Sequence, residues 1–199
     1  MCSSDLAPRL IDKPIRWRRQ RRLDVRGALV HAMGAFLPMP SGEISAHEFL
    51  RRSPELTGSS VCAHRLLHPD GSITVCVPDD KVTFHAGESQ FGELRNLNET
   101  FLGMEWLVAG VWEYGHFVSA LRGGEIDFSD EQYESGGWQY AQWMMEHKFG
   151  RDRIAAHSAV AGDDVRGPGL GKHDPGRAFS WRHLQEQITI HLEAAEYIG

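Results

Sequence analysis

The sequence predicts a single α/β (α+β) domain built on a central mixed β-sheet flanked by helices. Three observations carry that expectation. Short apolar runs at residues 27–33, 100–108 and 154–157 have the length and residue types of buried strands. Two β-rich segments, 61–67 and 72–77, flank Pro69-Asp70-Gly71 and read as a hairpin, so part of the sheet is antiparallel. Two long stretches with helical spacing, one from Ser129 and one from Trp181, supply layers to cover the sheet.

Taken in order, the run at 27–33 carries His31 near its end, and Pro38, Pro40 and Gly42 signal a turn after it. Ser45 is placed to cap a short helix reaching Arg52, with Glu48 as its capping-box partner. In the hairpin, a two-residue turn at Asp70-Gly71 would set facing residues whose numbers sum to 141, placing Cys76 opposite Arg65 and Cys62 opposite Asp79. The strand at 100–108 is apolar except for Glu105. Ser129 caps the next helix, Asp130 and Glu131 suit its positive end, and Gly150 stops it. A strand at 154–157 ends in His157, a Gly- and Pro-rich loop covers 162–176, and a helix at 181–196 closes the chain.

A length of 199 residues fits one hydrophobic core, here a domain at 27–199 preceded by an N-terminal extension at 1–26. The composition, 41% hydrophobic and 24% charged, is that of a globular chain. A net charge of -6 argues against nucleic acid as partner, since phosphate binding needs clustered excess Lys and Arg. The basic run Arg16-Trp17-Arg18-Arg19-Gln20-Arg21-Arg22 reads as a solvated arm in preference to a patch for an anionic polymer. With no apolar run of about 20 residues and no signal-peptide core, the expectation is a monomer made in the cytoplasm, without membrane insertion. Of three cysteines, Cys2 is set aside with the aperiodic start, and Cys62 and Cys76 read as reduced, buried thiols.

His31 and His157 each end an apolar run, and Asp174 lies in Lys172-His173-Asp174-Pro175-Gly176. Two imidazoles and a carboxylate suit a hydrolytic zinc site with one position left for water. Spacing alone does not single them out, because eleven histidines and many acids offer other combinations.

A longer pattern does. Leu29-Val30-His31, Cys62-Ala63-His64-Arg65-Leu66-Leu67, Pro69-Asp70-Gly71-Ser72-Ile73 and Phe84-His85-Ala86-Gly87 occur in order. Asn96-Leu97-Asn98, Leu102-Gly103-Met104-Glu105, Ile154-Ala155-Ala156-His157-Ser158 and Lys172-His173-Asp174-Pro175-Gly176 follow them. In this the chain resembles the type 2 N-acetylmuramoyl-L-alanine amidases, a family of phage lysins and bacterial recycling amidases related to peptidoglycan recognition proteins. The resemblance covers nearly everything from Gly27 to Leu184. It implies that fold, with zinc held by His31, His157 and Asp174, Glu105 as catalytic acid and base, and Lys172 beside the metal. It also implies that His85 and Asn98 line the substrate groove, and that His64 either does likewise or is an inward strand histidine satisfied by its neighbours. The implied reaction is zinc-dependent hydrolysis of the amide between N-acetylmuramic acid and L-alanine, with peptidoglycan or muropeptides as partner, in wall lysis or in recycling. The alternative is a recognition module that binds peptidoglycan without cutting it, but such modules typically lose a ligand and this chain keeps all three. A stem-peptide zinc peptidase would carry a motif such as His-Glu-x-x-His, which is absent. The chain departs from the family in Ala32-Met33-Gly34 after the first ligand, in an insertion-like stretch at 113–125 and in a lengthened loop at 162–171.

Overall fold

The computed structural model describes residues 7–15 and 19–198, which leaves Cys2 and the Arg16-Trp17-Arg18 part of the basic run outside it. The chain opens with β1 (Leu10–Asp12), β2 (Arg19–Gln20), the long β3 (Gly27–Met39) and β4 (Gly42–Ser45), then α1 (Ala46–Arg51) and α2 (Ser53–Thr57). Next come β5 (Arg65–Leu67), β6 (Ile73–Val75), β7 (Lys81–Val82), β8 (Gln90–Phe91), β9 (Leu94–Arg95) and β10 (Phe101–Val111). It ends with α3 (Tyr114–Gly123), α4 (Asp130–His147), β11 (Ile154–Ala156), α5 (His157–Val160), α6 (Asp163–Arg166) and α7 (Trp181–Ile198).

The main sheet runs β1-β6-β5-β10-β3-β11, with β4 added to the far end of β3. At its centre β3 and β10 are parallel from Phe101↔Gly27 to Val108↔Gly34. Flanking strands β5 and β11 are also parallel to them, whereas β5–β6 and β3–β4 are antiparallel, so the sheet is mixed. Both faces of the central strands are covered, which is why they read as continuous apolar runs and not as alternating ones.

Alternation decides which face each residue serves. Even-numbered Ala28, Val30, Ala32, Leu102, Met104 and Trp106 point to the main core, where Tyr133, Tyr140 and Trp143 of α4 meet Leu184 and Ile188 of α7. Odd-numbered Leu29 and Phe101 point the other way, against Ala86, Leu97 and Val160. His31 and Glu105 share that second parity.

Glycine gives α4 its close seat. A Cβ on Gly136 would lie 2.5 Å from the Trp106 ring, and one on Gly137 would lie 2.4 Å from the Gln187 Cβ of α7. Ser129 caps the helix, with the reciprocal Gln132 side chain completing the box. Ser45 caps α1 as expected, accepting from the Glu48 N–H, but the Glu48 carboxylate bonds Arg51 instead of closing the expected capping box.

The structure corrects several expectations. β3 runs on to Met39, because Pro38 sits beyond the last pairing with β10, Val111↔Phe36, and costs no bond there; the turn is at Pro40-Ser41. The β5–β6 register sums to 140, placing Arg65 opposite Val75. The turn holds three residues, Pro69 to Gly71, closed by His68 N–H to Ser72 O at 2.9 Å, with Gly71 at φ 77°. Cys62 and Cys76 are buried as expected, and burial pushes Cys76 up to about 12. The stretch at 113–125 contains α3, and the loop at 162–176 contains α6.

The described part of residues 1–26 packs on the domain. β1 pairs with β6 at the sheet edge, and Ile15 is fully buried beside Leu50, Leu66 and Cys76. Arg21 is not a solvated arm: it donates to the carbonyls of Asp79, Lys81 and Glu99, and burial lowers it to about 10. Among the described residues no helix is long and apolar enough to cross a membrane.

Candidate metal centre

Three elements bring His31, His157 and Asp174 together. β11 pairs with β3 through Ala156↔Val30, so His157, the next residue, emerges level with His31. Asp174 comes from the loop before α7, which is tied down by Ser158 N–H to Asp174 O at 3.0 Å and Lys172 N–H to Ala161 O at 2.9 Å. The Asp174 Oδ2 atom lies 3.0 Å from His157 Nδ1 and 3.3 Å from His31 Nδ1. The two rings stand edge to face, 4.3 Å between centroids.

The donor set fits a cation. His157 Nε2 is 3.2 Å from the Ala86 carbonyl, which can only accept, so Nε2 carries a proton and Nδ1 is the nitrogen turned to Asp174. Ligand atoms of all three residues lie within 4.8 Å of one another. Two imidazoles with one carboxylate form the three-ligand set of a hydrolytic zinc site.

Burial lowers His31 to about 4, helped by the neighbouring His157, so it is neutral at ordinary pH. Burial alone would raise Asp174, yet His157 and His31 hold it well below the usual carboxylate range. Glu105 is pushed up to about 8 by burial and then by the Asp174 charge, with Lys172 acting against them.

The trio, Glu105 and Lys172 line one cavity of about 260 Å³. Much of the rest of its lining is apolar, with Leu37, Phe49, Val61, Trp112, Tyr114 and Phe117 among it. The α3 wall went unread in the sequence, although Tyr114, Phe117, Val118 and Leu121 carry helical spacing that would have revealed it.

The three residues expected in the groove are placed differently from one another. His85 reaches the cavity lining but is only 7% exposed, with Nδ1 2.9 Å from His31 Nε2. His64 is fully buried away from the cavity, hydrogen-bonded by the Gly103 N–H and lying 3.1 Å from Lys81 O. Asn98 accepts from the backbone N–H groups of His85 and Ala86 at 2.9 and 2.8 Å, so it secures the segment that presents His85. His64 and Asn98 satisfy buried backbone groups away from the cavity lining, as buried polar groups require.

Comparison with known proteins agrees with this geometry. A family model described as N-acetylmuramoyl-L-alanine amidase matches residues 21–177. The 1,6-anhydro-N-acetylmuramyl-L-alanine amidase AmpD of Salmonella typhimurium is 26% identical over 146 residues, which is 73% of this chain and 65% of that protein. The chain thus spans just under two thirds of the length of this curated relative. A crystal structure of a selenomethionine AmpD derivative has a TM-score of 0.64 at 22% identity, covering 90% of this chain and 93% of that one. Escherichia coli AmiD, solved with anhydro-N-acetylmuramic acid-L-Ala-D-gamma-Glu-L-Lys, has a TM-score of 0.56 at 20% identity, covering 82% and 57%. The two structures share the fold, and the family match runs from before His31 to beyond Asp174: the chain belongs to the N-acetylmuramoyl-L-alanine amidase family.

Proposed function

We propose that this chain is a zinc-dependent hydrolase of the amide bond joining N-acetylmuramic acid to L-alanine in peptidoglycan or its soluble fragments. One observation carries the reading: His31 Nδ1, His157 Nδ1 and Asp174 Oδ2 converge in a cavity that Glu105 and Lys172 also line. The names of the relatives, amidases of anhydro-muramyl peptides among them, support the choice of bond.

His31, His157 and Asp174 would hold the ion. When bound there, zinc supplies an acidified water and polarises a carbonyl. Glu105, on the strand beside His31, takes a proton from the attacking water and returns it to the alanine nitrogen as the C–N bond breaks. The Lys172 ammonium offers charge to the oxygen that becomes negative. The apolar walls exclude bulk water, which strengthens both interactions. The products are a lactyl carboxylate on the sugar and a free amine on L-alanine.

The test is mass spectrometry of products from soluble anhydro-muropeptides and from intact sacculi. Stem peptides beginning with a free L-alanine amine, without new reducing sugar ends, are expected from at least one substrate. Reducing ends, or new amino termini inside the stem with the muramoyl-alanine bond intact, would sink the assignment. Binding without cleavage of either substrate would favour a recognition module.

A further inference from the structure

We propose that His85 is a positioning residue: by accepting the His31 Nε2 proton, it fixes His31 in the one tautomer whose Nδ1 lone pair faces Asp174 and His157. This inference rests on the reading of the trio as a metal site.

The argument starts from an atom that has no choice. The Phe101 carbonyl lies 3.1 Å from His85 Nε2, and a carbonyl oxygen only accepts, so the His85 proton is on Nε2. His85 is buried and its ring neighbours, His31, His64 and the Phe101 carbonyl, offer no negative charge, so it carries one ring proton and its Nδ1 is bare. That bare nitrogen lies 2.9 Å from His31 Nε2, which must then be the donor. A neutral imidazole has one proton, so His31 Nδ1 is left as a lone pair, 3.3 Å from Asp174 Oδ2. The direction of the whole chain, Phe101 O to His85 to His31, is set by one backbone carbonyl. Without His85, the His31 proton would move to Nδ1 and bond to Asp174, blocking both as ligands.

The surroundings are shaped to keep His85 in place. A Cβ on Gly103 of β10 would lie 2.4 Å from His85 Nδ1 and 2.6 Å from its Cγ, so only glycine leaves room for the ring over this strand. From the other end, Asn98 Oδ1 holds the His85 backbone N–H at 2.9 Å. His157 needs no such relay, because its Nε2 meets the Ala86 carbonyl directly.

The experiment uses the full chain and zinc alone, with affinity measured by competition against a chromophoric chelator. His85→Leu and Gly103→Ala should each weaken zinc binding by about 10- to 100-fold, the usual effect of losing a group that orients a ligand. His85→Asn, whose amide oxygen can stand where Nδ1 stood, should recover most of it. Nitrogen chemical shifts of the metal-free protein should place the His31 proton on Nε2 in the wild type and on Nδ1 in His85→Leu. Wild-type zinc affinity in His85→Leu, or a wild-type His31 protonated on Nδ1, would overturn the proposal. The wild-type tautomer decides the matter even if a variant fails to fold. Should the zinc-loaded protein cut no muropeptide, the proposed reaction falls while the tautomer and affinity results still judge His85.

Discussion

His31 and Glu105 face each other in register on adjacent parallel strands, β3 and β10, so both side chains leave the sheet on the same face and at the same level. A histidine and an acid more than seventy positions apart in sequence are thereby held side by side at the centre of the sheet. Neither depends on a loop to find the other. Loss of the acid should therefore leave the ligand set intact.

Glu105→Gln is expected to keep the fold and bound zinc while slowing turnover by about 10²- to 10⁴-fold, because the amide is nearly isosteric but cannot accept a proton. Steady-state rates on an anhydro-muropeptide, with metal analysis of the same sample, check this. A near-normal rate would remove Glu105 from the chemistry. Lys172→Met should also slow turnover with zinc retained; loss of zinc would show a structural role for the lysine instead.

His157→Ala should lower zinc from one ion per chain to a small fraction after dialysis, since two donors cannot hold what three hold. Atomic absorption on wild type and variant decides it. Stoichiometric zinc in the variant would mean that the ion is held elsewhere.

Gly137→Ala should destabilise the protein by about 1–3 kcal/mol, the usual cost of overpacking. The added methyl would press on Gln187 and the α7 backbone, with 2.4 Å to the Gln187 Cβ. Urea unfolding would show a lower midpoint with an unchanged slope. A midpoint equal to wild type would mean that α4 and α7 separate at no cost.

His64 should make the metal-free protein acid-sensitive. Burial, helped by the Arg21 guanidinium, lowers it from 6.5 to about 3, and Gly103 N–H occupies its Nδ1 at 3.0 Å. Between those two values the unfolded chain takes up a proton that the folded chain refuses. The contribution is therefore complete above about pH 6.5 and is lost as pH falls toward 3, at up to about 1.4 kcal/mol per pH unit. His64→Asn, with an amide oxygen to receive the Gly103 N–H, should flatten that dependence. An unchanged pH slope would show that His64 does not titrate between the two states.

Much of this was legible before any coordinates. Ser45 and Ser129 announced their helices because capping is local chemistry, and Glu105 stood out because an acid inside an apolar strand needs a reason. The trio became readable through the ordered motifs around His31, His157 and Asp174, since spacing alone left other combinations open. What escaped was decided at a distance. The hairpin register turned on whether two or three residues made the turn at Pro69 to Gly71, and Pro38 looked like a terminator because its unpaired edge could not be known. His64 and Asn98 were grouped with the groove by motif, but burial is set by what packs over a residue, here β7, β10 and the Arg21 segment.

The cavity also separates two kinds of inheritance. His31, Glu105 and His157 are fixed by the sheet and the strand ends beside it, and a change there alters the reaction itself. The wall formed by Trp112, Tyr114 and Phe117 belongs to one short excursion of chain between β10 and α4. That excursion can lengthen, shrink or change its side chains without moving His31, Glu105 or His157, so under the proposed function it would set which muropeptides are admitted while the bond cut stayed the same.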